Sequence, residues 1–331
     1  GSPSRIPKSS ARVKSKPHSS FLQHQEEGMA KSWKELVHGR ALMHFNRLGR
    51  DTVGNLVSAE VWQMATKDGL SWSSPRNLTA QLAQLSPRRD YSITGPGLAV
   101  QLRSGRIVVP LYKPNCGLCV GPHGHTTACS PLDCAGSMYS DTHGATFLSS
   151  TVNSSGSDWY KDMSESAVVE LADGRVMLNM RNGSPRSNKS QPCVCTPTVH
   201  CGCRGVAIST DQGGSFGRLS FDPKLLDPAG IEGCQASIFR PFGGSRVFFS
   251  NPHNAIDRVD MTVQELNRTV AGAAQPWSIL KLVQLGGAAY SCLAGPSNIS
   301  SPEIGLLYEA AKPGCSGHAC QIRYLTIPTP L

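Results

Sequence analysis

Twelve cysteines lie between Cys116 and Cys320, with none before, and eight of them fall into two groups: Cys116, Cys119, Cys129 and Cys134, then Cys193, Cys195, Cys201 and Cys203. Thiolates spaced this way can hold a tetrahedral zinc, with His123, His125 or His200 as further ligands. The same residues can instead be oxidised in pairs, stapling two long polar loops. An even count in an oxidising compartment favours that second outcome. Asn-x-Ser/Thr triplets at Asn77, Asn153, Asn182, Asn188, Asn267 and Asn298 lean the same way, toward the secretory route and an extracellular or lysosomal location.

Those loops interrupt a repeating scaffold. Four segments share a turn, a basic residue and an apolar run: Val37 to Phe45, Leu102 to Val109, Leu171 to Leu178, and Gly243 to Phe249. Their arginines, Arg40, Arg106, Arg175 and Arg246, recur at a nearly constant interval. A Gly-containing turn between two apolar runs predicts a β-hairpin. Each hairpin is followed, before the next one begins, by an aromatic: Trp72, Phe147, Phe216 and Trp277. One repeat is therefore a sheet of about four short strands, the unit of a β-propeller blade.

Three repeats end in a related turn. Ser209-Thr-Asp211-Gln-Gly213-Gly-Ser215-Phe216 fits the Asp-box pattern S-x-D-x-G-x-[ST]-[FW] in full. Ser140 to Phe147 fits with Thr142 in place of the aspartate, and Lys67 to Trp72 keeps the Gly, the Ser and the aromatic. The carboxylate serves backbone N–H groups of a tight turn, and glycine supplies a positive φ. This is a structural device, not a catalytic one. At the interval set by the four arginines, the chain of 331 residues holds fewer than five blades.

Composition narrows the function classes. The chain has 32 Lys and Arg against 23 Asp and Glu, a formal charge of +9. Arg5, Lys8, Arg12, Lys14 and Lys16 supply +5 of it inside a Ser- and Pro-rich stretch free of Asp and Glu. Residues 1–36 thus read as a disordered basic tail and 37–331 as the folded body. The body advertises no basic face interleaved with aromatics, so nucleic acid is not an expected partner. No stretch reaches the ~20 apolar residues of a membrane-spanning helix.

Over residues 37–331 the sequence resembles the exo-α-sialidases (neuraminidases) of bacterial and animal type. Four places carry the likeness: Glu60-Val-Trp62 through Trp72-Ser-Ser-Pro-Arg-Asn-Leu-Thr79; Tyr91-Ser-Ile-Thr-Gly95-Pro-Gly97 with Gln101-Leu; Ser164-Glu165-Ser166 through Arg181-Asn; and Phe248 to Pro252 with Asp257-Arg258, then Ala289-Tyr290-Ser291. The resemblance implies an all-β fold, a six-bladed propeller with its active site at the central mouth. It implies hydrolysis of terminal sialic acids from glycoproteins, glycolipids or oligosaccharides, with no cofactor and no metal.

Sialic acid carries a carboxylate on its anomeric carbon. Guanidinium forks suit that anion because they offer bidentate, permanently charged hydrogen bonds. By the resemblance, Arg181 and Arg258 are two members of the family's carboxylate-binding triad. A carboxylate nucleophile would be repelled by the substrate, and sialidases use a tyrosine instead. Tyr290 is the implied nucleophile, in a retaining mechanism. A phenol with a pKa of about 10 needs a base, and Glu165 is the implied one. Taken singly, each of these residues reads as an ordinary strand-end or half-buried side chain. In family-like contexts and in family order, with Glu165 and Arg181 on one strand pair and Arg258 ahead of Tyr290, they read as a site. Glu309 resembles the acid that braces the first triad arginine, while Glu170 reads as structural.

The pattern departs from the family at the N-terminal end. Ser4-Arg5-Ile6-Pro7 offers the letters of the first-arginine motif, making Arg5 a supporting candidate, but no apolar strand follows it. No aspartate precedes Asp51, so the family's acid/base aspartate has no counterpart. The expected propeller is therefore incomplete at its N-terminus. The alternative to an exo-α-sialidase is a catalytically impaired, lectin-like propeller that binds sialic acid.

Overall fold

The computed structural model describes residues 18–21, 40–53, 56–86, 92–113, 118–120, 126–128, 135–153, 163–183, 202–228, 233–241, 244–266, 277–295, 303–312 and 319–329. They form antiparallel sheets following one another along the chain. The first contains β1 (His18–Phe21), β2 (Ala41–Arg50), β3 (Leu56–Thr66) and β4 (Arg76–Asn77), and is followed by the short helix α1 (Thr79–Leu82). The second is built from β5 (Ile93–Thr94), β6 (Val100–Gln101), β7 (Ile107–Tyr112), β10 (Ala135–Ser140) and β11 (Leu148–Ser149), with the ribbon β8 (Leu118–Val120) and β9 (Thr126–Ala128) between β7 and β10 in sequence. After β12 (Thr151–Asn153), the third holds β13 (Met163–Glu170), β14 (Val176–Asn182), β15 (Cys203–Ser209) and β17 (Ser220–Leu226). Strand β16 (Ser215–Arg218) leaves this sheet to pair in parallel with β12.

The fourth sheet has six strands, β18 (Ser237–Phe239), β19 (Phe248–Pro252), β20 (Val259–Leu266), β21 (Trp277–Ala294), β22 (Glu303–Ala310) and β23 (Gln321–Pro328). Strand β21 is 18 residues long. Its first part pairs with β20 and its second with β22, so one strand serves two blade-like units. The arrangement is that of a propeller: besides the ribbons β8–β9 and β12–β16, the described residues form four larger sheets, the last of them spanning two blade-like units, short of the six blades that the resemblance implies.

Alternation along the strands explains how the sheets stack. Ile107, Val109 and Leu111 enter the core shared with the first sheet, whereas Val108 enters the core shared with the third. In β13, Val168 faces the second sheet, while Ala167 and Val169 face the fourth. Successive side chains of a strand point to opposite faces, so a continuous apolar run is what a strand buried on both faces requires. Pro110, which lacks an N–H, sits where the partner of β7 changes from β6 to β5, so no ladder bond is forfeited there.

The repeat turns superpose in their hydrogen bonding. Leu102 N–H donates to the Arg106 carbonyl and Leu171 N–H to that of Arg175, with Gly105 and Gly174 at φ of 92° and 89°. In the full Asp-box, Asp211 accepts from Ser215 N–H at 2.8 Å and Ser215 Oγ at 2.7 Å, while Ser209 Oγ accepts from Gly213 N–H at 2.7 Å. Ser140 and Thr142 reproduce this with a hydroxyl in place of the carboxylate. The first repeat corrects the expectation that only Gly, Ser and the aromatic survive. Thr66 Oγ1 accepts from Gly69 N–H, and Asp68 Oδ1 accepts from Leu70 and Ser71 N–H, so a turn shortened by one residue keeps both acceptors. Phe147, Phe216 and Trp277 are each buried between neighbouring sheets. Arginines latch one sheet to the next turn: Arg76 donates to the Gly144 and Ala145 carbonyls, and Arg106 to those of Asp211 and Gln212.

Within the expected tail 1–36, His18–Phe21 pairs with β2 as an edge strand. The unpaired backbone of an edge accepts an extended segment whatever its composition. The rest of that stretch, including Arg5, lies outside the described residues. So do most of the two cysteine groups and His123, His125 and His200. Cys203 and Cys320 each belong to a disulfide, whereas Cys234 and Cys292 are free thiols. Asn77 and Asn153 are exposed, but Asn182 is buried and its amide donates to the Cys203 carbonyl, which removes it as a glycan acceptor. Asn188, Asn267 and Asn298 lie outside the described residues.

Two stability effects follow. Asp211→Ala leaves the Ser215 donors without their acceptor and is expected to cost about 1–2 kcal/mol, read from urea unfolding. His44 is fully buried between Gln63 and Phe147, and burial pushes its imidazole down from 6.5 to about 4. The unfolded chain therefore takes up a proton that the folded chain refuses. Stability should fall by about 1.4 kcal/mol per pH unit as pH drops through the window between those two values. Urea midpoints across that window check this, and a slope unchanged in His44→Asn would contradict it.

Candidate active site

Glu165 and Tyr290 are placed by matching irregularities in two different sheets. In the third sheet the register advances three residues along β13, from Met163 to Ser166, against two along β14, from Asn182 to Met180. Ser164 and Glu165 therefore oppose Arg181 alone. Further along the chain, Ala288 to Ser291 oppose Ala310 to Tyr308, so Ala289 and Tyr290 together face Glu309. A β-bulge of this kind bends the strand and re-aims a side chain that regular pleating would send elsewhere. It also releases a backbone N–H from the ladder. Tyr290 N–H is taken by Glu309 Oε2 at 3.1 Å.

The two bulges bring distant residues into contact. Tyr290 Oη donates to Glu165 Oε1 at 2.7 Å, and Arg181 Nη1 donates to Glu165 Oε2 at 2.6 Å. The same Arg181 nitrogen lies 3.3 Å from Tyr290 Oη, closing a three-membered cluster. The Arg258 guanidinium stands over the Tyr290 ring, 5.7 Å from its centroid, within cation–π range. Its Nε and Nη2 donate to the Gly233 carbonyl at 3.3 and 3.0 Å. Arg258 precedes β20, in a turn where Asn254 Oδ1 accepts the N–H groups of Ile256 and Asp257.

Burial governs the electrostatics. The Arg181 and Glu165 side chains are only 15% and 10% exposed, so their attraction is little screened by water. Burial opposes the Arg181 charge, but Glu165 outweighs it and holds the guanidinium pKa above its ordinary value. The Tyr290 phenol is pushed well up, first by burial and then by the negative charge of Glu165, with Arg181 pulling the other way. Tyr112, at the end of β7, is raised by burial and the same carboxylate, which puts it within the field of the site. At neutral pH Tyr290 is thus protonated, and its hydroxyl donates to Glu165 Oε1.

Glu309 takes the Tyr290 N–H, so among the described residues its observed partner is that backbone group rather than an arginine. Glu170 lies away from the cluster, accepting from Arg103 and Arg240 and so tying the third sheet to its neighbours. Sequence reading passed over Tyr112, Gln235, Arg204, Asp227 and Gly233. Gln235 mimics a strand, its amide accepting Ser291 N–H at 2.9 Å and donating to the Ser291 carbonyl at 3.0 Å, immediately beside Tyr290. No periodicity or spacing marks these residues. An open cavity of about 170 Å³ adjoins Tyr290 and Glu309, walled by Pro96, Leu307, Tyr308 and Ile322; Glu165 and Arg181 do not line it. Among the described residues no group of three or more His, Cys, Asp or Glu side chains gathers as a metal site.

Comparison with known proteins points one way. No family model matches the chain. It is 32% identical over 263 residues to a sialidase of Micromonospora viridifaciens, covering 77% of this chain and 34% of that protein. It is 26% identical over 268 residues to human Sialidase-3, covering 68% of this chain and 56% of that one. The chain thus spans between about a third and just over half the length of these relatives. Among solved structures, the Hadza microbial sialidase Hz136 superposes with a TM-score of 0.58 at 20% identity, over 94% of this chain and 52% of that one. The leech intramolecular trans-sialidase, complexed with 2,7-anhydro-Neu5Ac, gives 0.55 at 19% identity over 82% of this chain and 36% of that one. At those identities the structures share a fold.

The charge of Glu165 is one of the forces holding the Tyr290 proton. Glu165→Gln is therefore expected to lower the Tyr290 pKa, with Tyr112 following by a smaller amount, in ring-carbon NMR titrations of labelled tyrosine. Unmoved titrations would mean the carboxylate does not act on the phenol.

Proposed function

From its membership of the sialidase family, we propose that the chain is an exo-α-sialidase cleaving terminal sialic acids from glycoconjugates with retention of configuration. The observation that carries this reading is the 2.7 Å hydrogen bond from Tyr290 Oη to Glu165 Oε1, with Arg181 against both partners. A phenol otherwise too weak to attack is paired with the base that can take its proton along an existing hydrogen bond.

In this reading Arg181 and Arg258 hold the substrate carboxylate, which seats the anomeric carbon against the phenol. As Glu165 accepts the proton, Tyr290 Oη bonds to the anomeric carbon and the glycosidic bond breaks, its electron pair leaving with the aglycone oxygen. Water then attacks the anomeric carbon of the tyrosyl glycoside and gives up a proton through solvent, which makes good the one the aglycone oxyanion takes up, while the proton held by Glu165 returns to the departing Tyr290 oxygen. Two displacements at one carbon leave its configuration unchanged. Arg181 screens negative charge on both the phenolate and Glu165, so the proton can move without isolating an anion in a buried site.

Among the described residues, the carboxylates hydrogen-bonded to Tyr290 are Glu165 and Glu309, and neither is the aspartate acid of the family pattern. General acid assistance is worth roughly 10²–10⁴ in rate for a poor leaving group. A substrate whose phenolic leaving group needs little protonation bypasses that step. The disulfide-bonded Cys203 and Cys320 support an oxidising location, extracellular or lysosomal. Among the described residues no helix is long and apolar enough to cross a membrane.

A fluorogenic aryl sialoside tests the proposal. Turnover should fall roughly 10⁴-fold or more in Tyr290→Phe with binding retained. Arg258→Lys, which loses the fork, should raise KM by about tenfold to a hundredfold. Sialoside binding without turnover by the native chain would instead support the lectin-like propeller.

A further inference from the structure

A fully buried ion pair lies behind the arginines. Arg204 on β15 and Asp227 after β17 have side chains 0% and 1% exposed, and Arg204 Nη1 meets Asp227 Oδ2 at 3.1 Å. Removing two charges from water is costly, and well-packed apolar residues often serve stability as well or better. The arrangement of the hydrogen bonds gives the pair another role. Asp227 Oδ2 accepts the N–H of Asn182, the residue after Arg181, at 2.9 Å. Its other oxygen, Oδ1, accepts the N–H of Cys234, the residue after Gly233, at 2.8 Å. Gly233 is the residue whose carbonyl takes both Arg258 donors. One carboxylate thus grips the backbone beside Arg181 with one oxygen, and the backbone that seats Arg258 with the other.

Arg204 fixes that carboxylate in turn. Its Nε donates to Asn179 Oδ1 on β14 at 2.8 Å, Nη1 also donates to the Cys234 carbonyl, and its guanidinium lies 5.8 Å from the Phe249 ring centroid on β19. The pair therefore reaches both sheets. Gly233 supplies a separate observation. At φ +72° a Cβ there would stand 2.6 Å from the Asn182 carbonyl oxygen, 3.0 Å from Arg181 Cγ and 3.1 Å from Asp227 Oδ2. The backbone under Arg258 is packed directly against Arg181 and the Asp227 carboxylate, with no room for a methyl group.

We infer that Asp227, held by Arg204, is a positioning residue that sets the spacing between Arg181 and Arg258, and so the width of the carboxylate cradle. The inference rests on the reading of those arginines as carboxylate ligands. Misplacing a bound group by about 1 Å costs on the order of 10²-fold, so a shared anchor for two ligands on different sheets has a large effect to exert.

The test compares the native chain with Asp227→Asn and Gly233→Ala, the second variant keeping both charges of the ion pair while pushing against the contact between them and the Arg258 seat, should the first fail to fold. With the aryl sialoside, KM should rise about tenfold or more in each folded variant while kcat falls less. The Nε–H NMR signals of both Arg181 and Arg258 should shift in each. Native KM with unmoved arginine signals in a folded variant would overturn the inference. A native chain that neither binds nor turns over the sialoside would sink the functional reading instead, and the arginine signals would still decide whether Asp227 couples the two residues.

Discussion

A glutamate with little exposure, pressed against both a phenol and a guanidinium, must be held there by something stiffer than its own side chain. Glu165 sits in such a place, 2.6 Å from Arg181 and 2.7 Å from Tyr290. The cation offsets the cost of burying the anion, and the anion raises the pKa of the phenol that donates to it. The sheets are what keep the three groups within reach, since Tyr290 comes from a strand far along the chain from the paired strands of Glu165 and Arg181.

Local departures from regular β structure do the aiming. Both Glu165 and Tyr290 sit where two residues of one strand face one residue of the next. An unbulged ladder would turn one of each pair to the opposite face, into the cores between sheets. The bulge at Tyr290 frees an N–H, and Glu309 satisfies it. The bulge at Glu165 leaves Arg181 opposite the carboxylate it binds. Beyond the bulges the strands return to strict alternation, with Val168 and Val169 on β13 entering different cores. The same strands therefore stack as blades and hold the Glu165, Arg181 and Tyr290 cluster at their irregular points.

Much of the architecture was legible in the residues. The apolar runs after Arg106 and Arg175 became strands buried on both faces, and the Gly turns before them adopted matching hydrogen bonds. The Asp-box at Ser209 to Phe216 folds as its pattern demands, because its hydrogen bonds join residues two to four apart. The turn ending at Trp72 was recognised by its Gly, Ser and aromatic, but its acceptors Thr66 and Asp68 were not, because one residue is missing from its loop, which breaks the letter spacing without moving the acceptors. The strand at His18–Phe21 escaped notice because pairing to an edge needs backbone rather than a hydrophobic pattern.

By itself the sequence determined the class of fold, the phase of the repeats and, through local motifs, which glutamate, arginines and tyrosine to gather as candidates. The fold class and the phase of the repeats are written in short-range periodicity and turn chemistry, whereas the candidates rest on the likeness of local motifs to the sialidase family. Only the tertiary structure decided that Tyr290 meets a carboxylate from a different sheet, that Glu309 takes the Tyr290 N–H, and that Arg204, Asp227 and Gly233 stand behind the arginines. The physical reason is that a buried polar group must find a partner wherever packing has put one. Packing between sheets joins residues far apart along the chain, leaving no spacing for a reader of the sequence to recognise.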